Sequence, residues 1–431
     1  MKYGKYRTMM MDHLRFKNEP IAYANVGDAI QGLAMDYIFE TIGISDKDVC
    51  WFRRDDDFKN VPPEPIRLPF YTGIVDGSEK RLPLPSNVTP YFTSLVFYYS
   101  DYLNKYPEIR EYLRAHAPIG CRDEHTKNIF AEYNIPAYLM GCFTVCLPKR
   151  KTAPRNGKVF LVDTPPPLEE YIPADIKARA VKLSQSVPFE VYPVTVEEDI
   201  RQKEIARNYL KRYRDEADLI VTGRLHAALP CMAMGIPVIL IRRNYDFRFD
   251  WASKFFKLYQ IDEAKDIDWQ PEVPDIEPIK RLIISYVKLS MADDPAREQV
   301  LKELDAYYSD REKPVLNKNI RLAVESAKKK FNGRPINYAI WGAGAYGHFC
   351  YEIMRKLYKE ANLAVVFDKY VRCDTIFNVP ICSGDNLEQY DLDYVFVATN
   401  PGKDEALSAL KNKYGETYSE HCAVVSTLMQ S

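Results

Sequence analysis

Arg224 and His226 stand two residues apart, directly after the apolar run Asp218 to Thr222 and ahead of a stretch of small apolar residues, Ala227 to Ala233. A buried strand ending at Thr222 and a helix starting at once put both side chains at the carboxyl end of a strand and the amino end of a helix. Open α/β sheets bind ligands there, and the free N–H groups and dipole of the helix favour an anion. The guanidinium adds a fork for carboxylate or phosphate; the imidazole can move a proton near neutral pH. Capture of a small anion beside a proton-transfer group is the chemistry these residues suit. Tying down a loop is the plainer alternative.

A second arginine, Arg122, occupies another predicted strand-to-helix turn, Cys121-Arg-Asp123-Glu-His125. Asp123 is placed there as an N-cap, and His125 is expected on the outer surface. In Asn25-Val-Gly27-Asp28-Ala-Ile-Gln31, the glycine turn would let a ligand approach the backbone where a helix begins. Asp28 either orients a hydroxyl or caps that helix. Arg242, Arg243 and Tyr245, just past a predicted strand, offer charge and stacking to a sugar or its diphosphate; a solvated loop is the alternative.

Far downstream, Gly342, Gly344 and Gly347 form a GxGxxG turn between a predicted strand and a helix, and Asp368 ends the next strand. That spacing suits a nucleotide or nucleotide-sugar, with Asp368 on the ribose. The segment is short for a complete dinucleotide fold, so packing of helix on strand explains the glycines as well.

The elements that position these groups alternate. Helix 169–185 leads to strand 189–194, helix 197–214 to strand 218–222, and helix 224–234 to strand 236–241, the pattern of parallel βαβ units. Upstream, a helix from Asp28 is stopped by Gly43, another runs from Asp123 to Tyr133, and Ala137 to Leu147 reads as a strand. The basic connector 148–157 suggests a boundary. Residues 1–150, 151–275, a helical connector 276–333 and a final module 334–431 make an α/β chain of several units, as 431 residues lead one to expect.

Composition excludes other classes. Lys plus Arg is 59 and Asp plus Glu 60, a net charge of −1 that argues against a nucleic-acid partner. The nine cysteines are dispersed without a CxxC pair, which reads as reduced thiols and provides no metal site. No apolar run reaches membrane-spanning length, so the protein is expected in the cytoplasm. The 31 tyrosines suggest rings lining grooves.

Four stretches in order resemble the polysaccharide pyruvyl transferases: Asn25 to Gln31, Cys121 to Thr126, Gly141 to Thr144, and Thr222-Gly-Arg224-Leu-His226 running into Gly235-Ile-Pro237-Val238. The resemblance spans roughly residues 20–260. It implies a GT-B-like pair of Rossmann-like domains, here with a third, small C-terminal Rossmann-like domain. It also implies transfer of pyruvate from phosphoenolpyruvate to sugar hydroxyls as a ketal, with Arg122, Arg224 and His226 at the donor site. The acceptor would be a sugar, nucleotide-sugar or lipid-linked glycan, the last bringing the protein to the inner face of the membrane. No cofactor or metal is required by that chemistry. A GT-B glycosyltransferase gripping a nucleotide sugar, an NAD-linked oxidoreductase and a non-catalytic sensor are the alternatives.

Overall fold

The computed structural model describes residues 1–7, 15–16, 19–20, 23–53, 58, 61–74, 82–97, 102–191, 194–243, 247–309, 318–369, 375–399 and 402–425. The chain divides into two compact units. One comprises Met1–Arg243 with Arg248–Pro314, the other Val315–Ser431 with Asn244–Phe247.

The first unit carries two parallel sheets. In the first, Val49–Arg53, Lys2–Arg7, Ile66–Phe70 and Val88–Phe92 lie side by side. The parallel pair Ile119–Cys121 and Ala137–Leu139 stands close by, through a bridge from Leu95 to Cys121. The second sheet runs Ala180–Leu183, Lys158–Val162, Ala217–Thr222, Val238–Arg242 and Leu258–Gln260, again parallel throughout. Parallel strands need crossovers, and the helices Val196–Glu216 and Leu225–Ala233 supply two of them. Both sheets are of the parallel, Rossmann-like kind. The short strand Tyr23–Asn25 pairs antiparallel with Ser186–Pro188, and Val26 N donates to Gln185 O at 2.8 Å. The start of the helix Val26–Thr41 is thereby fixed beside the second sheet.

Three local expectations change. Residues 169–185 do not form one helix: Ala174–Ala178 is helical, and Ala180–Leu183 joins the second sheet beside Lys158–Val162. Sheet pairing overrides helix propensity there. The strand expected at 189–194 is absent where described; the extended residues are Ser186–Pro188. The strand from Ala137 stops at Leu139, and the chain turns at Gly141, whose φ is +84°. A Cβ at Gly141 would come within 2.8 Å of Tyr308 Oη and 3.1 Å of the Trp251 ring.

Helices Glu277–Ala292 and Arg297–Ser309 belong to the first unit and complete its core with Tyr286 and Tyr308. Tyr308 Oη donates to Met140 O at 3.0 Å and Tyr286 Oη to Phe92 O at 3.4 Å. Such tyrosines serve as core rings with a satisfied hydroxyl rather than as groove linings.

The second unit is a six-stranded sheet in the order Thr375–Ile376, Val379–Cys382, Asn362–Phe367, Asn337–Trp341, Tyr394–Val397, Cys422–Val424. All neighbours are parallel except the hairpin of the first two. Alternate residues fill two faces: Ile340, Val366 and Phe396 on one, Trp341, Val365 and Val397 on the other. The helix Lys318–Lys330 packs into this unit through Ile320, Val324 and Ala327.

Candidate functional site

The strand Ala217–Thr222 ends on a hydroxyl that makes the turn. Thr222 Oγ1 donates to Val162 O and accepts from Arg224 N, both at 2.9 Å. Gly223 is required next, since a Cβ there would lie 2.9 Å from Asp163 O. The helix Leu225–Ala233 is apolar on all sides and buried from Ala227 onward. It contains Pro230, which lacks the N–H that would reach the carbonyl of His226 four residues back. That carbonyl instead accepts from Gln185 Nε2 at 3.3 Å. The proline's missing bond thus becomes a tether between the Arg224–His226 turn and Gln185, which ends the loop after Ala180–Leu183.

The His226 ring is held from both sides. Nδ1 lies 3.4 Å from Gln31 Nε2, and Nε2 lies 3.7 Å from Cys142 Sγ. Gly27 packs against the ring: a Cβ there would sit 2.8 Å from His226 Cβ and 3.1 Å from Nδ1. The helix cap is Asn25, whose Oδ1 accepts from Gly27 N at 3.1 Å. Asp28 has a different task, with Oδ1 accepting from Gln31 Nε2 at 3.1 Å.

Arg122 follows the strand Ile119–Cys121 and is 8% exposed. Its Nη1 donates to Gln31 Oε1 at 3.3 Å. Its Nε is buried with no hydrogen-bond partner, and among the described residues no carboxylate forms an ion pair with it. Asp123 caps the next helix, accepting from Thr126 N at 2.9 Å. Burial pushes the Asp123 carboxyl above its usual range, with the Arg122 charge pulling the other way. His125, expected at the surface, is buried at 8% exposure because the start of its helix faces the core. A guanidinium left in this state is costly and is stabilised by an incoming anion.

Arg224 is half committed. Its Nε donates to Asp163 Oδ2 at 2.8 Å and its Nη2 to Ser186 Oγ at 2.9 Å, so one edge of the fork is used within the protein. Arg242 ends the strand Val238–Arg242 with its guanidinium 4.8 Å over the Phe249 ring. Together with Arg248, these side chains enclose a cavity of about 190 Å³. That is below the roughly 300–1,000 Å³ of drug-sized sites. Four guanidiniums and His226 line it, against one lining carboxylate, Asp28. It suits a small, strongly charged anion.

Of the residues singled out in the sequence, Asn25, Asp28, Arg122, Arg224, His226 and Arg242 come together here. Gly27 stands behind His226. Arg243 is exposed and does not line the cavity, its carbonyl accepting from Gln260 Nε2 at 3.3 Å. Tyr245 lies outside the described residues. Gln31, Gln185 and Arg248 also line the cavity and Asp163 holds Arg224, although none of the four was singled out as a candidate. Gln31 was accessible to reasoning, being one turn from Asp28 on the same helix face; Gln185 and Asp163 arrive only through tertiary pairing.

In the second unit, Gly342 has φ +112°, and a Cβ there would lie 2.8 Å from Thr399 Cβ. A Cβ on Gly347 would collide with the Gly342 carbonyl, whereas Gly344 faces open space. Asp368 Oδ2 accepts from Ala343 N at 2.9 Å. Among the described residues no group of three His, Cys, Asp or Glu is placed to hold a metal ion.

The first unit is thus a parallel two-sheet α/β unit of Rossmann-like kind with arginines gathered at the carboxyl ends of its strands. The family model for polysaccharide pyruvyl transferases matches residues 25–245, just over half of the chain, and the chain belongs to that family. Membership marks it as a transferase of polysaccharide biosynthesis. No curated protein sequence matches it. Solved structures similar at low identity include two. One is a functionally uncharacterized protein from Klebsiella pneumoniae subsp. pneumoniae NTUH-K2044, 12% identical over 57% of this chain and 84% of that one, with a TM-score of 0.34. The other is a UDP-N-acetylglucosamine 2-epimerase, 13% identical over 71% of this chain and 82% of that one, with a TM-score of 0.30.

Proposed function

We propose that the protein transfers pyruvate from phosphoenolpyruvate to two hydroxyls of one sugar residue of a glycan, forming a cyclic ketal. The observation that carries this reading is Arg122, a buried guanidinium with one long hydrogen bond and no ion-pair partner among the described residues, in a cavity with three further arginines. Phosphoenolpyruvate brings a carboxylate and a phosphate on one small frame, which matches several fixed cations in a small volume.

A proton added at C3 of the donor makes C2 electrophilic, and the first sugar hydroxyl adds there. The C2–O bond to phosphate breaks, and the second hydroxyl closes the ketal on C2. Of the two hydroxyl protons lost, one balances the proton gained at C3 and the other leaves with the phosphate. His226 is the proposed proton-transfer residue. Arg122, Arg224, Arg242 and Arg248 hold the donor and stabilise the departing phosphate; Asn25 and Asp28 face the acceptor hydroxyls. Among the described residues no helix is long and apolar enough to cross a membrane; a lipid-linked acceptor would be met at the inner membrane face.

Phosphate release from phosphoenolpyruvate, measured across a panel of nucleotide-linked and lipid-linked sugars, tests the reading. Release should require both donor and one acceptor, and His226→Ala should lower it by about 10²-fold or more with the fold intact. Turnover retained in that variant would remove His226 from the proton-transfer role. Turnover of a nucleotide sugar without phosphoenolpyruvate would replace the reading by glycosyl transfer.

A further inference from the structure

Gln31 lies at the centre of the site and belongs to none of the motif roles assigned above. Its amide touches three groups: Arg122 Nη1 at 3.3 Å, Asp28 Oδ1 at 3.1 Å and His226 Nδ1 at 3.4 Å. Two of these neighbours have fixed hydrogen-bonding character. A guanidinium only donates, so the atom facing Arg122 is the amide oxygen; an ionised carboxylate only accepts, so the atom facing Asp28 is the amide nitrogen. The assignment of oxygen and nitrogen, usually ambiguous for a glutamine, is therefore settled by its surroundings. The same NH2 group faces His226 Nδ1, which must accept.

We infer that Gln31 is the positioning residue for His226, holding the resting imidazole in the tautomer with its lone pair on Nδ1 and its proton on Nε2. This rests on the proposed proton-transfer role of His226 and adds the tautomer from which the ring starts. The Nε2–H is directed to the side of Cys142, whose Sγ is 3.7 Å away. The resting ring thus presents a hydrogen-bond donor at Nε2 and keeps its basic lone pair at Nδ1, the atom that takes up the proton when the ring acts. Gly27 is required for this contact, because a Cβ would intrude 3.1 Å from Nδ1. Through Gln31 Oε1 the same residue joins the ring to Arg122, so the proton-transfer group and the proposed anion anchor are one hydrogen bond apart on either side of a single amide. Among the described residues, the charged or titratable groups around the ring include Asp28 and Arg122 across Gln31, Cys142 at Nε2, and Arg224, Arg242 and Arg248 around the cavity.

The test uses the full-length protein labelled with 15N-histidine, the His226 ring signals being assigned by their loss in His226→Ala. In the unmodified protein the neutral ring should show an unprotonated Nδ1 and a protonated Nε2. Gln31→Met, close in shape but unable to donate, should give mixed tautomers and lower phosphate release about tenfold, mainly in kcat. Gln31→Glu offers a carboxylate to an Nδ1–H and should keep the ring protonated to higher pH, moving the pH profile of activity in the alkaline direction. A Gln31→Met protein that keeps the single tautomer, or a Gln31→Glu protein with an unmoved ring titration, would overturn the inference. The ring signals need no turnover, so they decide it even if phosphoenolpyruvate proves not to be the donor.

Discussion

The helix Val26–Thr41 serves two cavities, and their charge balance separates them. Near its start is the cavity of about 190 Å³ around Arg122 and His226. Toward its end is a larger one, about 720 Å³, where Lys5, Arg7 and Lys203 crowd the Trp51 ring at 4.6–4.7 Å. In the larger cavity the cations are answered. Lys5 pairs with Asp36 at 2.8 Å, Lys203 with the same carboxylate at 3.4 Å, and Arg7 with Asp199 at 3.5 Å. In the smaller cavity Arg122 has no such partner among the described residues. Volume alone would favour the larger; unmet charge selects the smaller. Breaking a buried pair leaves its other charge uncompensated and destabilises the fold, whereas a buried cation without a carboxylate is where binding of an anion gains most.

Substitutions that remove one cation from each cavity should therefore act in opposite directions. The largest effect is expected for Arg122→Met, which should lower kcat/KM for phosphoenolpyruvate by about 10²–10³-fold, in line with roughly 2–5 kcal/mol for a desolvated charge contact. The next is Lys5→Met in the larger cavity. It should leave donor turnover unchanged and cost about 1–3 kcal/mol in denaturant unfolding, because Asp36 loses its nearer partner but keeps Lys203 and some water. Smaller again, Arg122→Met should hold or raise the melting temperature despite its loss of activity; a loss of stability comparable to that of Lys5→Met would erase the distinction.

The smallest effect concerns Asp123. Its folded-state pKa is raised above the unfolded carboxylate value of roughly 3.9. The native state then binds the proton more tightly, so stability falls as pH rises from the unfolded value through the folded one, and the penalty is complete above it. Asp123→Asn keeps an oxygen for Thr126 N and should flatten that slope, leaving the variant at least as stable at neutral pH. A variant less stable at neutral pH than at pH 4 by the same margin as the parent would contradict the shift.

Much of this site was legible in the sequence because strand-to-helix turns announce themselves. Thr222-Gly223-Arg224 and Cys121-Arg122-Asp123 combine an apolar run, a turn and a cap, and the structure places both arginines at strand ends. What was not legible depends on partners distant in the chain. Asp163 takes one edge of the Arg224 fork from 61 residues away. Gln185 reaches the His226 carbonyl only because Ala180–Leu183, read as helix, is a strand of the second sheet. Tyr286 and Tyr308 show the same limit, since composition counts rings without saying which are core. In the second unit the glycine turn was read correctly as strand–turn–helix, but spacing could not show how its groups are engaged. There Asp368 accepts from the turn's own backbone, and Gly347 is needed for close approach of the helix to Gly342.

If Arg122, buried and without an ion-pair partner among the described residues, anchors the donor, its removal must weaken donor binding. Calorimetric titration of phosphoenolpyruvate into the unmodified protein and into Arg122→Met tests it without knowledge of the acceptor. Binding that is present in the first and at least about 10²-fold weaker in the second is the predicted result. Equal affinity in both proteins would contradict it.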